Sequence, residues 1–420
     1  MSQRSKFIYG IFVYLVALTF LLFEMAIQVT PSLLTDTLMK ELEVGAGAIG
    51  LISAFYFYSY MLMQVPVGLL FDRYNAQIIL PISIFLCSLG VYIFGTSANI
   101  ALIGLARFIM GAGSAFAFVG VLVVVKRWFH PRQFAFFAGI AQLAAAFGAL
   151  SGVLFLSKVL DSMNWHKMMH LISIIGFVLT IISALIVRDN PDSNRHIPLL
   201  HDIRQELKVV LKSAQTWFLA LFGFCSWAPV GVLGALWGVP FIELRYNVST
   251  VEAAFAISFL WVGLGITSPT IGLLSDKIHK RKPFIIFCPL IGVIASIALI
   301  YFNFLTYWAS VVLLLLIGVA SAGQILSFAM VKEKNQPLIR STAVSINNMT
   351  LVGGIALLQP LVGVLLHLFW DRAVDSQGIP IYSITDYEVS LSVIPACFFI
   401  AFIVALFFTK ETYCNKSIDL

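Results

Sequence analysis

Glu24 and Arg107 are the residues most suited to chemistry, because each is a lone charge inside a long apolar run. An ionisable group held away from water costs several kcal/mol, so it marks a pathway, a proton relay or a paired partner. If the first apolar run ends near Pro31, Glu24 sits about 10 Å inside that boundary at ~1.5 Å per residue. A run starting near Asn99 puts Arg107 about 12 Å inside the same boundary. The two depths are similar enough for the residues to meet. A carboxylate beside a guanidinium gives up its charge reluctantly. A substrate carboxylate arriving at Arg107 would therefore release Glu24 to take a proton. The competing reading is a buried ion pair that only fixes helix packing.

Other chemistry-bearing residues point nowhere else. Cys87, Cys225, Cys288, Cys397 and Cys414 fall at no metal-ligand spacing and read as packing. His166 and His170 share a helix face but lack a third ligand, so they read as interfacial. There is no Walker-type Gly-x-x-x-x-Gly-Lys-Ser/Thr string and no His-Glu-x-x-His, so neither an ATP-driven pump nor a metalloenzyme is indicated. The reading is a non-enzyme with no cofactor and no metal.

The elements that must position Glu24 and Arg107 follow from composition. Of 420 residues, 60% are hydrophobic and 11% charged, and mean hydropathy is +0.96. Soluble domains carry about 25% charged residues, so lipid is the solvent that suits this chain. Apolar stretches of spanning length fall near 7–30, 46–71, 77–96, 98–125, 134–158 and 168–187. Six more fall near 216–241, 251–274, 283–302, 306–331, 342–368 and 389–409. The polar stretch between the sets, with Asp202, Arg204, Glu206, Lys208 and Lys212, predicts a linker with a short helix along the membrane surface. The expected layout is a first bundle 1–187, a linker 188–214 and a second bundle 215–420. The apolar run from Phe7 lacks a cleavage site and reads as a retained helix.

The net charge of +6 is dispersed at the ends of apolar runs, which speaks for topology and against nucleic acid. With both termini inside, the outer loops hold Lys40, Lys158, Lys167, Arg245 and Arg372, and Arg107 lies within a span. That leaves twenty of the 26 Lys and Arg inside, the bias that sets orientation. Both termini are expected in the cytoplasm. Asn247-Val-Ser249 fits a glycosylation sequon on an outer loop, which would carry no meaning were the protein bacterial.

The chain also repeats itself. Pro66-Val-Gly68-Leu-Leu-Phe-Asp72-Arg73 ends the second run, and Pro269-Thr-Ile-Gly272-Leu-Leu-Ser-Asp276-Lys277 ends the eighth. Gly permits close approach of a neighbouring helix. The Asp suits a facing helix N-terminus, and the basic residue the headgroup zone. Here the chain resembles the major facilitator superfamily, whose hallmark loop Gly-x-Leu-x-Asp-Arg-x-Gly-Arg-Arg is matched by Gly68, Leu70, Asp72 and Arg73. The match lapses at Asn75, Ala76 and Gln77. The second copy keeps Gly272, Leu274 and Asp276, with Lys277 for Arg and a basic cluster Lys280-Arg281-Lys282.

That resemblance implies an all-α membrane protein of twelve transmembrane helices in two pseudo-symmetric six-helix bundles. It implies alternating access around a central site and a gating role for Gly68, Asp72, Arg73, Gly272, Asp276 and Lys277. Arg107-Phe-Ile-Met-Gly111-Ala-Gly113 is similar to the family's helix-4 motif, whose Arg is linked to proton coupling. Tyr56, Tyr60, Gln142, Trp227, Trp237, Trp261, Gln324 and Asn348, with Asn347 and Phe328, are the expected polar or aromatic lining. For each, packing or interfacial anchoring is the other reading.

Span 5 (Gly139-Ile-Ala-Gln142 to Gly148 and Gly152) has glycines but lacks the Gly-Pro pair typical of exporters, which favours an importer. The strings Ser114-Ala-Phe-Ala-Phe-Val-Gly120 with Trp128-Phe129, and Ala343-Val-Ser-Ile-Asn-Asn348-Met, look like those of phagosomal nutrient transporters of intracellular bacteria. This resemblance implies proton-coupled uptake of a small metabolite, such as an amino acid or organic anion, by a monomer in the bacterial inner membrane. A siderophore or drug exporter and a non-transporting sensor on the same fold are the alternatives.

Overall fold

The computed structural model describes residues 3–130, 133–189, 209–336, 339–376 and 378–413. Most of the expected linker, 188–214, lies outside these residues. The described chain is nearly all helical, and twelve helices are long and apolar enough to cross a membrane. Spans 1 to 6 are Ser5–Val29, Ala46–Phe71, Ala76–Thr96, Ile100–Trp128, Phe136–Ser162 and Trp165–Ile186. Spans 7 to 12 are Ala214–Tyr246, Thr250–Ile278, Lys282–Tyr301, Tyr307–Lys334, Thr342–Phe369 and Ile384–Phe408. Each exceeds the ~20 apolar residues, or close to it, that a bilayer crossing needs. Large apolar side chains stay exposed within spans (Leu185 68%, Leu273 72%), as lipid-facing positions do and an aqueous surface would not tolerate in such number.

Local chemistry sets the helix ends. The Asn99 side chain accepts from Ala101 N and Leu102 N to start span 4, and Asn164 accepts from His166 N to start span 6. Ser249 and Glu252 form a reciprocal capping box at the start of span 8. Asn247 and His279 adopt positive φ at the ends of spans 7 and 8, the conformation that turns a chain out of a helix.

Three spans are interrupted. Span 7 passes from α-helix through a π turn, Leu233–Trp237, into Gly238–Tyr246. Span 10 breaks at Gly323 and Gln324, between Tyr307–Ala322 and Ile325–Lys334. Span 12 runs Ile384–Ser390, then Val393–Ile403, then a π turn to Phe408.

The chain falls into two compact units, Met1–Thr30 with Phe55–Leu199, and Pro31–Ala54 with Leu200–Leu420. In the first, span 3 packs on spans 4 and 6, and span 1 on spans 4 and 5. In the second, span 8 packs on span 10, span 7 on span 11, and span 9 on spans 10 and 12. A short helix, Pro31–Glu41, lies against the π turn of span 7 in that second unit.

Candidate functional site

Glycines bring the site together in the first unit. A Cβ at Gly111 would fall 2.0 Å from Tyr56 O and 2.3 Å from Ser59 Oγ, so span 4 lies directly on the backbone of span 2 beside Tyr56. Gly113 presses span 4 on Ser83 O of span 3 in the same way, at 2.6 Å. From span 5, Gly148 and Gly152 abut Leu22 and Ala26, the turns of span 1 that flank Glu24. The spacing Arg107-x-x-x-Gly111-x-Gly113 is therefore a packing device that sets where the guanidinium lies.

Glu24, Tyr56 and Arg107 meet, with exposures of 1%, 0% and 1%. The Tyr56 hydroxyl donates to Glu24 Oε1 at 2.6 Å. The Arg107 guanidinium carbon lies 4.6 Å from the Tyr56 ring centre, within cation–π range. Arg107 Nη1 donates to Ile27 O at 3.3 Å. Among the described residues no ion pair joins Glu24 to Arg107; Tyr56 stands between them. Glu24 Oε2 and Arg107 Nε and Nη2 are buried without a partner. Two neighbouring guanidinium donors left open in an apolar setting match the fork that grips a carboxylate or phosphate. Tyr60 stacks on Tyr56 at 6.2 Å, and Cys87 contacts Ser114 behind it at 3.4 Å. Gln142 is half-buried on span 5.

In the second unit the expected lining residues divide. Trp237 is fully buried and donates to Gln359 O at 3.0 Å, and Gln359 Nε2 donates to Gly231 O at 2.7 Å. Gln359 thus satisfies a carbonyl next to the π turn, a role that the sequence reading missed. Its only signal was an amide beside Pro360 in an apolar run. Trp261 is buried against Gly234, its Nε1 unpartnered. Gln324 is buried at the break in span 10, whereas Trp227 and Asn348 are half-buried. Asn347, next to Asn348, is fully buried and donates to Ser327 Oγ at 2.9 Å.

The duplicated loop differs from the expectation in two respects. A Cβ at Gly68 or at Gly272 would meet nothing within 4 Å, so neither glycine serves close approach among the described atoms. The partner of Asp276 is Arg281, at 2.6 Å, while Lys277 and Arg73 are exposed; the Asp72 side chain lies outside the described atoms. Arg281 also binds Glu333 at 2.8 Å and Ser275 Oγ, and Glu333 accepts from Thr412. Glu411 accepts from the backbone N–H groups of Arg281 and Lys282, at 2.9 and 2.8 Å, capping span 9. Burial would raise the Glu411 carboxyl, but backbone donors from Arg281, Lys282, Thr412 and Tyr413 outweigh it and hold the group below its ordinary value. The first unit repeats the scheme. Asp189, just after span 6, accepts from Ala76 N at the start of span 3 and pairs with Arg127 at 2.6 Å. Arg127 in turn donates to Phe71 O.

Comparison with known proteins agrees with this fold. Among curated relatives, a rat sodium-dependent phosphate transport protein 1 is 23% identical over 282 residues, covering 60% of each chain. The probable galactarate/D-glucarate transporter GarP of Escherichia coli K12 is 25% identical over 40% of this chain and 39% of its own. The match thus spans three fifths or less of these relatives' lengths. Among solved structures, a bacterial homologue of the human lysosomal transporter Spinster, inward-facing and occupied, superposes with a TM-score of 0.77 at 17% identity. It covers 94% of this chain and 95% of that one. A D-xylose-proton symporter gives 0.71 at 15% identity, covering 98% and 100%. These relatives are named as transporters, not enzymes. The Major Facilitator Superfamily profile matches residues 16–360 and again 219–413, and this chain is a multi-pass membrane protein of that superfamily.

Proposed function

We propose that this protein is a proton-coupled symporter that takes up a small organic anion, with a carboxylate as the group it recognises. The observation that carries the reading is the Glu24–Tyr56–Arg107 array, with two guanidinium donors and one carboxylate oxygen left open. A substrate carboxylate on Arg107 Nε and Nη2 would gain two charge-assisted hydrogen bonds where water does not compete. Its negative charge would favour the protonated form of Glu24, so substrate and proton would load together. Tyr56 touches both groups and would pass the change between them. Relatives named for galactarate and glucarate, sulfoacetate and hexuronate support an anion. An amino acid presents the same carboxylate.

Residues 1–187 and 215–420 would rock as two halves, with the repeated loop residues Asp72, Arg73, Asp276 and Lys277 as a gate. The surplus of Lys and Arg in the inner loops supports a topology with both termini in the cytoplasm; the membrane would be the bacterial inner membrane, and the protein would act as a monomer. The test is uptake of labelled glucarate, galactarate and single amino acids into proteoliposomes under an imposed proton gradient. Accumulation that follows the gradient supports the symporter, and its retention in full by Glu24→Gln would sink the coupling role. Export against the gradient would instead favour the siderophore or drug exporter. Absence of labelled exchange across a broad substrate panel would favour the sensor.

A further inference from the structure

Span 10 is broken in a place where the second unit gathers unpartnered oxygens. At Gly323 and Gln324 the bonding shifts from i−4 to i−3: Gly323 N bonds Ala320 O and Leu326 N bonds Gly323 O. In a continuous helix these donors would serve Val319 O and Ala322 O, so those two carbonyls lose their usual partners. The glycine is required there, because a Cβ would lie 2.7 Å from Cys288 Cβ on span 9. In a turn with three residues per repeat, Ser321, Gln324 and Ser327 project from one face. Asn347 of span 11 is tied to that face through its Nδ2 donor to Ser327 Oγ, which itself donates to Gln324 O at 2.7 Å.

What remains open here is of one kind. Gln324 Oε1, Asn347 Oδ1 and Ser321 Oγ are all buried and have no partner, and their residues are 5%, 0% and 0% exposed. Leaving a buried acceptor unmade costs about 1–3 kcal/mol each, so several in one turn call for an occupant. Gly223 lies beside Ser327 Oγ and Cys288 beside Gly323, and neither brings a charge to the cluster. Oxygen-only ligands select a hard cation; the absence of a carboxylate in the cluster disfavours a divalent one, which such sites neutralise with Asp or Glu. An occupant of residues this deeply buried must be small, an ion rather than a metabolite. Discontinuous membrane helices offer unwound carbonyls to small cations in this manner. We propose that the break in span 10 forms a sodium site, with ligands from Gln324, Asn347, Ser321 and the carbonyls of Val319 and Ala322. The site is independent of the proton-coupled array, which lies in the other unit.

The experiment is thermal unfolding of the purified full chain, titrated with sodium chloride against choline chloride at equal ionic strength. A saturable rise of several degrees, specific to sodium, is expected. Gln324→Leu should weaken the apparent sodium affinity at least tenfold, while Asn347→Asp, by adding a charge, should strengthen it by a similar factor. Should the leucine variant fail to fold, the aspartate variant still decides. Glu24→Gln should leave the sodium effect unchanged, which separates this site from the transport reading. Equal responses to sodium and choline, as expected if water alone fills the cluster, would overturn the proposal. So would a sodium response that neither Gln324→Leu nor Asn347→Asp alters.

Discussion

Tyr56 makes two different contacts through two different parts of its side chain, and a single substitution separates them. Tyr56→Phe keeps the ring beneath Arg107 but removes the hydroxyl that donates to Glu24 Oε1. The carboxyl then has both oxygens buried and unpartnered, at a cost of about 1–3 kcal/mol. We expect a lower Tm, and a pH dependence of uptake displaced from wild type while substrate affinity stays nearly intact. Arg107→Lys should do the reverse. It retains the charge but loses the planar fork, so affinity for a carboxylate substrate should fall tenfold or more, read as a rise in KM. Glu24 and Arg107 were legible in the sequence because a lone charge in an apolar run has few explanations. Tyr56 was one aromatic among many. That it stands between them, in place of a direct ion pair, depends on how deeply Gly111 lets span 4 settle onto span 2.

Glycines that look alike in the sequence act differently at the scale of the helix. Gly111→Ala would drive a Cβ to 2.0 Å from the Tyr56 carbonyl. Backbone cannot yield as a flexible side chain can, so a loss of about 1–3 kcal/mol is expected, visible as a fall in Tm. Gly272→Ala, with open space around it, should instead raise stability by about 0.5–1 kcal/mol, because alanine is the better helix former. If that variant also slows uptake, the repeated loop acts in a conformation other than this one, as a gate would. Hydrophobic run length made the twelve spans and their order readable. The interruptions in spans 7, 10 and 12 were not, because a break is set by packing and by hydrogen bonds to other spans, which run length does not record. Pro229 and Pro240 were visible, yet the π turn between them needs Gln359 of span 11 to satisfy Gly231 O, a contact 128 residues away in sequence.

Across the whole molecule, the two units solve one problem with the same device. The first turn of spans 3 and 9 leaves backbone N–H groups without helical partners. In each unit an acidic residue just beyond the last span, Asp189 or Glu411, reaches back to accept from them. The duplicated motif announced a repeat, but these capping acids were invisible in the sequence because they sit far from the motif and outside any string. The signs of the adjoining pair are reversed between units: the cation is Arg127 at the end of span 4 in one, and Arg281 at the start of span 9 in the other. Glu411 makes the device testable by pH. Its folded carboxyl lies below the ordinary value of about 4.5, so it contributes stability that is fully present above that value. The contribution is lost as pH falls through the lower, folded value. Glu411→Gln should therefore have a lower Tm than wild type at neutral pH, with the difference shrinking as pH drops below about 4.5. A gap between the two proteins that stays constant down to the acid limit would mean that the charge on Glu411 does not secure the start of span 9, and that its backbone bonds alone suffice.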